Sequence, residues 1–175
     1  DHRIPAPAAP DSTPEYDKAT MNPQNGYDIE DLHVGMTATF SKTITEADII
    51  LFAGVSGDTN ALHLDEEYAA GTAFKGRIAH GMLTAGLIPA ALANRLPGPG
   101  VIYLEQNLKF LAPVRPGDTV HAEVAITDLV PERGRVTLRT TCTVRGTTVI
   151  DGVAQVKVDS SLRRATKAAR AATAT

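Results

Sequence analysis

Asp58 and His63 stand five residues apart in the polar, turn-rich stretch GDTNALHLDEEYA, and Gly81 stands at the head of the apolar run HGMLTAGLIPAALANRL that follows it. A carboxylate and an imidazole can flank one water and pass its protons, provided the loop folds back on itself. A glycine in the first turn of a helix presents an unpaired backbone N–H at the positive end of the helix dipole. That N–H can hold a carbonyl oxygen on which negative charge gathers. These residue types in this order point to proton transfer beside a polarised carbonyl. Which of Asp58 and His63 is acid and which is base stays open at this level. Asn60, between them, is placed to orient the pair.

Each residue alone has a plainer explanation. Asp after Gly is common in turns because it bonds its own backbone. A lone histidine is ordinary in a core or on a surface, and Gly81 could simply ease helix packing. His80 reads as structural rather than catalytic. The weight lies on the unit, an acid and an imidazole in a loop followed by HGM. Asp58, His63, Asp65 and His80 are also possible metal ligands, but no compact spacing such as His-x-x-x-His joins them, so no metal is expected. No Gly-rich phosphate loop follows a strand, and Gly-x-Ser-x-Gly is absent. Neither a nucleotide cofactor nor a serine nucleophile is expected.

The elements that would carry these groups follow from periodicity. Ala38, Phe40 and Ile44 alternate with polar neighbours as a short strand. Thr45 to Asp48 fits a capping box, and Ile49, Ile50, Phe52 and Ala53 give the next helix an apolar face. Asp58 to Leu64 has no period and reads as a loop, with one or two helical turns after Asp65. From about His80 to Arg95 the apolar residues point all round a helix, which predicts burial all round, with a kink at Pro89. Four strands follow, from Ile102 to Val158, each with one apolar face. Their short turns predict that consecutive strands pair. An apolar helix and a one-faced antiparallel sheet are satisfied together when the sheet curls round the helix, an α+β architecture.

The bulk properties set the frame. At 175 residues, 43% hydrophobic and 21% charged, the chain suits one globular domain. A net charge of −3 and the lack of Trp argue against a nucleic-acid surface. No apolar run is long enough for a membrane span, and no signal peptide is visible. The lone Cys142 suits a reducing cytoplasm. Residues 1–26 carry five prolines and few large apolar side chains, so they read as an arm, native or not, with Met21 as a possible start. The domain then spans 27–159, and the basic, Ala-rich residues 160–175 read as a solvated tail.

GDTNALHLDEEYA resembles the signature of the MaoC-like hydratases, in which Asp-x-Asn-Pro-(Leu or Ile)-His is followed by an Asp. IAHGMLTAGL, the run LPGPGVIYLEQNLKFLAPVRPGD and the last strands also resemble the single-domain (R)-specific enoyl-CoA hydratases of that family. The resemblance covers about Tyr27 to Val158. One departure is Ala61, which stands where the family has Pro and leaves the loop backbone freer.

The resemblance implies a hot-dog fold and a homodimer with active sites near its interface. It implies reversible hydration of trans-2-enoyl-CoA, with Asp58 activating water, His63 protonating C2 and the Gly81 N–H holding the thioester oxygen. Coenzyme A is then part of the substrate and no separate cofactor is needed. The acyl chain would run along the central helix past Ala85, Ile88, Pro89 and Leu92. Lys75, Arg77, Arg95, Lys109 and Arg115 are the cations available to the coenzyme's phosphates. A hot-dog thioesterase is the alternative enzyme, though it would want an acid on the central helix, which has none from Gly81 to Arg95. A non-catalytic acyl-thioester binding subunit is the alternative outside enzymes, against which both Asp58 and His63 stand.

Overall fold

The structure, a computed structural model, describes residues 26–173. The arm read for residues 1–26 therefore lies outside the described residues, except Gly26. Five strands form one antiparallel sheet: β1 (Thr37–Thr43), β2 (Ile102–Phe110), β3 (Thr119–Val130), β4 (Arg135–Val144) and β5 (Thr147–Lys157). Their order across the sheet is β1-β3-β4-β5-β2. The β4–β5 hairpin turns at Arg145 and Gly146, with φ of 48° and 79°. Two consecutive positive φ values suit the right-handed twist of the flanking strands.

Consecutive pairing holds for β3, β4 and β5 but fails for β2. That strand pairs with β5 at the far edge, with Phe110 opposite Ile150. The segment after β2 contains Pro113 and Pro116, which have no N–H to give to a hairpin ladder. It crosses over to β3, beside the opposite edge strand β1, and is tied down on the way. The Ala79 N–H donates to the Val114 carbonyl at 2.7 Å, and the Gly117 N–H to the Ile44 carbonyl at 2.7 Å.

The central helix is two pieces, α4 (Gly81–Ala85) and α5 (Leu87–Asn94), after three helices nearer the N-terminus: α1 (Glu46–Ser56), α2 (Ala61–Leu64) and α3 (Glu66–Ala70). The proline ring at position 89 crowds the carbonyl four residues earlier, that of Ala85. The kink expected at Pro89 therefore appears as a break at Gly86. α5 packs on β1, β3 and β4. Its buried face, Leu87, Ile88, Ala91 and Leu92, meets Val120, Val124 and Leu138 of the sheet in one core. Burial all round is not what the structure shows. Met82, Gly86, Pro89 and Ala93, on the opposite side, are exposed. A single sheet layer covers one side of a helix and leaves the other open.

α1 begins at the expected capping box. The Asp48 N–H donates to Thr45 Oγ1 at 3.2 Å, and the Thr45 N–H donates to Asp48 Oδ2 at 2.8 Å. The Thr45 N–H and hydroxyl, the latter donating to Asp48 Oδ2 at 2.7 Å, together with Lys42 hold the Asp48 carboxyl below the usual carboxylate range. Gly57, at φ 78°, closes the helix. The C-terminal residues, read as a solvated tail, are largely exposed, but they are helical. Ser161–Ala172 form helix α6, whose N-cap Ser160 accepts from the Arg163 N–H. Arg164 forks between Asp28 and Asp159, each at 2.7 Å, and so anchors the helix to the domain.

Gly152 in β5 is where β2 comes closest. A Cβ there would lie 2.1 Å from the Asn107 carbonyl oxygen, a backbone atom that cannot swing away. Gly152→Ala is expected to destabilise the fold by about 1–3 kcal/mol, as overpacking does. An unchanged urea midpoint would contradict that packing.

Candidate active site

His63 is positioned by α2, inside the stretch expected to be loop. Asn60 is the N-cap of that helix, its Oδ1 accepting from the Leu62 N–H at 3.0 Å. Capping is thus what Asn60 is seen to do, and it orients His63 by fixing the turn that carries it. The imidazole is buried, and Nδ1–H donates to the Ile78 carbonyl at 2.8 Å. Nε2 is left as the nitrogen that can exchange a proton. It lies 3.9 Å from Oδ2 of Asp58, whose side chain is 50% exposed.

Asp58 sits just past the end of α1. Its N–H donates to Ser56 Oγ at 3.2 Å, and its Oδ1 accepts from the Asn60 N–H at 3.3 Å. Its carbonyl accepts the Nε2–H of His80 at 2.9 Å. The rings of His80 and His63 lie on one another, centroids 3.9 Å apart and planes 31° apart.

Gly81 opens α4, and its N–H meets no hydrogen-bond acceptor among the described residues. A Cβ at Gly81 would come within 2.8 Å of the Phe110 ring, so the helix start and β2 can approach this closely only at a glycine. A cavity of about 350 Å³ opens here, lined by His63, Gly81, Thr84, Phe74, Ile78 and Phe110, with residues 111–114 and Ile150. The fold therefore brings His63 and Gly81 to one cavity and stands Asp58 beside His63.

The four residues expected along the acyl chain lie elsewhere. Ala85, Ile88 and Leu92 are buried in the core, and Pro89 is on the exposed stripe of the helix. None lines this cavity. Phe74, Ile78 and Phe110 do, and none was visible as a site residue. Phe110 showed only as a strand position, and Ile78 contributes through its backbone carbonyl, which no residue type announces. Two of the five candidate cations are already engaged. Arg77 pairs with Glu46 at 2.6 Å and Glu66 at 3.3 Å, and Arg115 donates to the carbonyls of Phe74 and Arg77. Lys75, Arg95 and Lys109 are exposed.

Folding also gathers three of the four metal-ligand types that spacing kept apart. Ligand atoms of Asp58, His63 and His80 lie within 4.8 Å of one another. Each imidazole gives one N–H to a backbone carbonyl, His63 to Ile78 and His80 to Asp58, and keeps its other nitrogen uncommitted.

Residues 32–156 match the family model described as MaoC like domain. The chain belongs to the MaoC-like dehydratase family. It is 61% identical over 129 residues to an (R)-specific enoyl-CoA hydratase of Rhodospirillum rubrum, covering 74% of this chain and 90% of that protein. It is 52% identical over 129 residues to a 3-hydroxybutyryl-CoA dehydratase of Methylorubrum extorquens, covering 74% and 82%. Among solved structures, the (R)-hydratase from A. caviae involved in PHA biosynthesis superposes with a TM-score of 0.72 at 44% identity, covering 74% of this chain and 98% of that one. The MaoC-like fold, a hot-dog α+β arrangement whose sheet is not closed, is thereby shared.

Ala61, where the resemblance places a proline in other members, is the first residue of α2. Proline is well tolerated there, since the missing N–H has no carbonyl to meet. Asn60, at φ −54° and ψ 130°, already has the backbone that a residue before proline adopts. Ala61→Pro is expected to stabilise the protein by about 0.4–1 kcal/mol through the unfolded chain, with His63 undisturbed. A lower urea midpoint would show that the turn differs from this description.

Proposed function

We propose that the protein reversibly adds water to a trans-2-enoyl-CoA, giving the (R)-3-hydroxyacyl-CoA. The observation that carries this reading is the 3.9 Å separation of Asp58 Oδ2 and His63 Nε2 at a cavity that also holds the Gly81 N–H. A water hydrogen-bonded to both groups, at roughly 2.8 Å from each, fits that gap. The activities named for the relatives above support the same reaction.

The steps follow from the positions. The thioester oxygen sits at the Gly81 N–H and is held as charge moves onto it during attack at C3. One such donor is typically worth about 3 kcal/mol of barrier. The Asp58 carboxylate takes the proton of the attacking water. His63, with Nδ1–H committed to the Ile78 carbonyl and a second proton on Nε2, delivers that second proton to C2, and Asp58 then returns the water's proton to Nε2, which restores both groups. Dehydration runs the same transfers backwards. No cofactor or metal ion enters any step. The acyl portion takes the apolar cavity by Phe74, Ile78 and Phe110, and exposed Lys75 and Lys109, each next in sequence to a lining residue, are in reach of the coenzyme's phosphates.

The working unit in this proposal is a homodimer. β2 is an edge strand, with Ile102 55% and Phe110 53% exposed. A free edge with apolar side chains calls for a cover, and the bare stripe Met82, Gly86, Pro89, Ala93 calls for another. A second subunit is the simplest cover for both, and it would bring the helix face of Pro89 to the substrate's neighbourhood. No helix among the described residues is long and apolar enough to cross a membrane. The proposed compartment is the cytoplasm, where Cys142 remains a thiol, its pKa pushed up to about 12 by burial.

Mixing the protein with crotonyl-CoA and following loss of the conjugated enoyl-thioester absorbance, with free thiol monitored separately, tests the reading. Absorbance should fall without thiol release. Asp58→Asn and His63→Ala should each lower kcat by about 10²–10⁴-fold while remaining folded. Thiol release alone would replace the proposal with a thioesterase, and near-normal rates in either variant would remove the pair.

A further inference from the structure

His80 is the most buried titratable side chain in the site, 1% exposed, yet none of the steps above uses it. Its Nε2–H donates to the Asp58 carbonyl at 2.9 Å. Its ring stacks on His63 and also meets Phe52, centroids 4.9 Å apart. It is the N-cap residue of α4, so Gly81 follows it directly. One side chain therefore touches Asp58 and His63 from the start of the helix that carries the oxyanion amide.

The segment it holds has little else to hold it. Residues 54–60 are all exposed. Their other hydrogen bonds are local, among them Gly57 to Ala53, Thr59 to Gly57, Asp58 to Ser56 and the His63 N–H to the Asn60 carbonyl. Among the described residues, the His80 bond to the Asp58 carbonyl is the one hydrogen bond that ties this segment to a part of the chain distant in sequence. His80 also leaves Nδ1 buried with no hydrogen-bond partner. Leaving a buried acceptor unpaired is unfavourable, and a leucine or phenylalanine would fill the space without it. Packing alone does not account for an imidazole at this place.

We propose that His80 is a positioning residue that fixes the Asp58 backbone and the His63 ring relative to Gly81; this rests on the reading of Asp58 and His63 as the proton-transfer pair. The bond from Nε2 sets where Asp58 stands, and the stacked ring limits how His63 can turn about its bond to Ile78. A misplacement of about 1 Å between such groups costs on the order of 100-fold in rate.

The test compares His80→Ala with His80→Gln, whose amide N–H can reach the place of Nε2–H. Steady-state kinetics on crotonyl-CoA should show kcat lowered about 30–100-fold in His80→Ala, with KM within about threefold. His80→Gln should recover about tenfold or more of that loss. Should His80→Ala not fold, His80→Phe keeps the ring, loses the donor and takes its place. A ring-nitrogen NMR spectrum of His63 provides a readout independent of turnover. Recorded where the His63 ring is neutral, it should show the proton held at Nδ1 in the wild type and a tautomer mixture in His80→Ala. Folded His80→Ala with kcat within twofold of wild type would overturn the proposal. So would His80→Gln losing as much as His80→Ala, together with thermal midpoint, since that is a packing role. If the wild type hydrates no crotonyl-CoA, the proposed function fails, and the His63 spectrum alone decides. An unchanged spectrum in His80→Ala then overturns positioning.

Discussion

The hydrogen bond from His63 Nδ1–H to the Ile78 carbonyl is the interaction on which the site turns. It joins α2 to the segment that leads into α4, fifteen residues further along the chain. It also decides which ring nitrogen is free, the one that faces Asp58, and so where the proposed proton exchange takes place. A backbone carbonyl is a dependable partner for this task because its position is fixed by packing. Ile78 and Ala79 are buried, and the Ala79 N–H is held in turn by Val114. The tautomer of His63 is thus set by the same core that sets the fold.

The sheet imposes the second constraint. One curled layer buries one face of α5 and pins the start of α4 against β2 through the contact between Gly81 and Phe110. That contact gives Gly81 two reasons to be a glycine. It keeps the amide proposed to hold the thioester oxygen approachable, and it allows the edge strand to close one side of the cavity. The same single layer leaves a stripe of the helix and the far edge of β2 uncovered, which is why the proposed dimer and the proposed site share a neighbourhood.

Much of this was legible in the residues. The capping box at Thr45, the one-faced strands and the meander of β3, β4 and β5 follow from local rules, and the structure has them. The union of Asp58 and His63 was readable because both lie in one short loop. What escaped was non-local. Prolines after β2 sent the chain across the sheet, so pairing by sequence order misplaced that strand. Apolar residues round the whole helix suggested cover on every side, whereas Met82 and Pro89 are left bare in the single subunit. The acyl path was placed along the helix at Ala85, Ile88, Pro89 and Leu92, but the cavity by His63 is walled by Phe74, Ile78 and Phe110. α6 showed as a tail because its anchor, Arg164 to Asp28 and Asp159, links two ends of the domain that no pattern connects.

In the proposed reaction Asp58 and His63 work as one pair from one side of the substrate. Groups acting on opposite faces of a planar enoyl thioester would stand roughly 6 Å apart, about 3 Å from each face. Their 3.9 Å separation fits two groups acting on the same face. Hydrating crotonyl-CoA in D₂O and reading the C2 and C3 configurations of the product by NMR tests this most directly. The account predicts a single diastereomer with deuterium and hydroxyl added to the same face. A product deuterated at C2 on the opposite face, or equally on both, would contradict it.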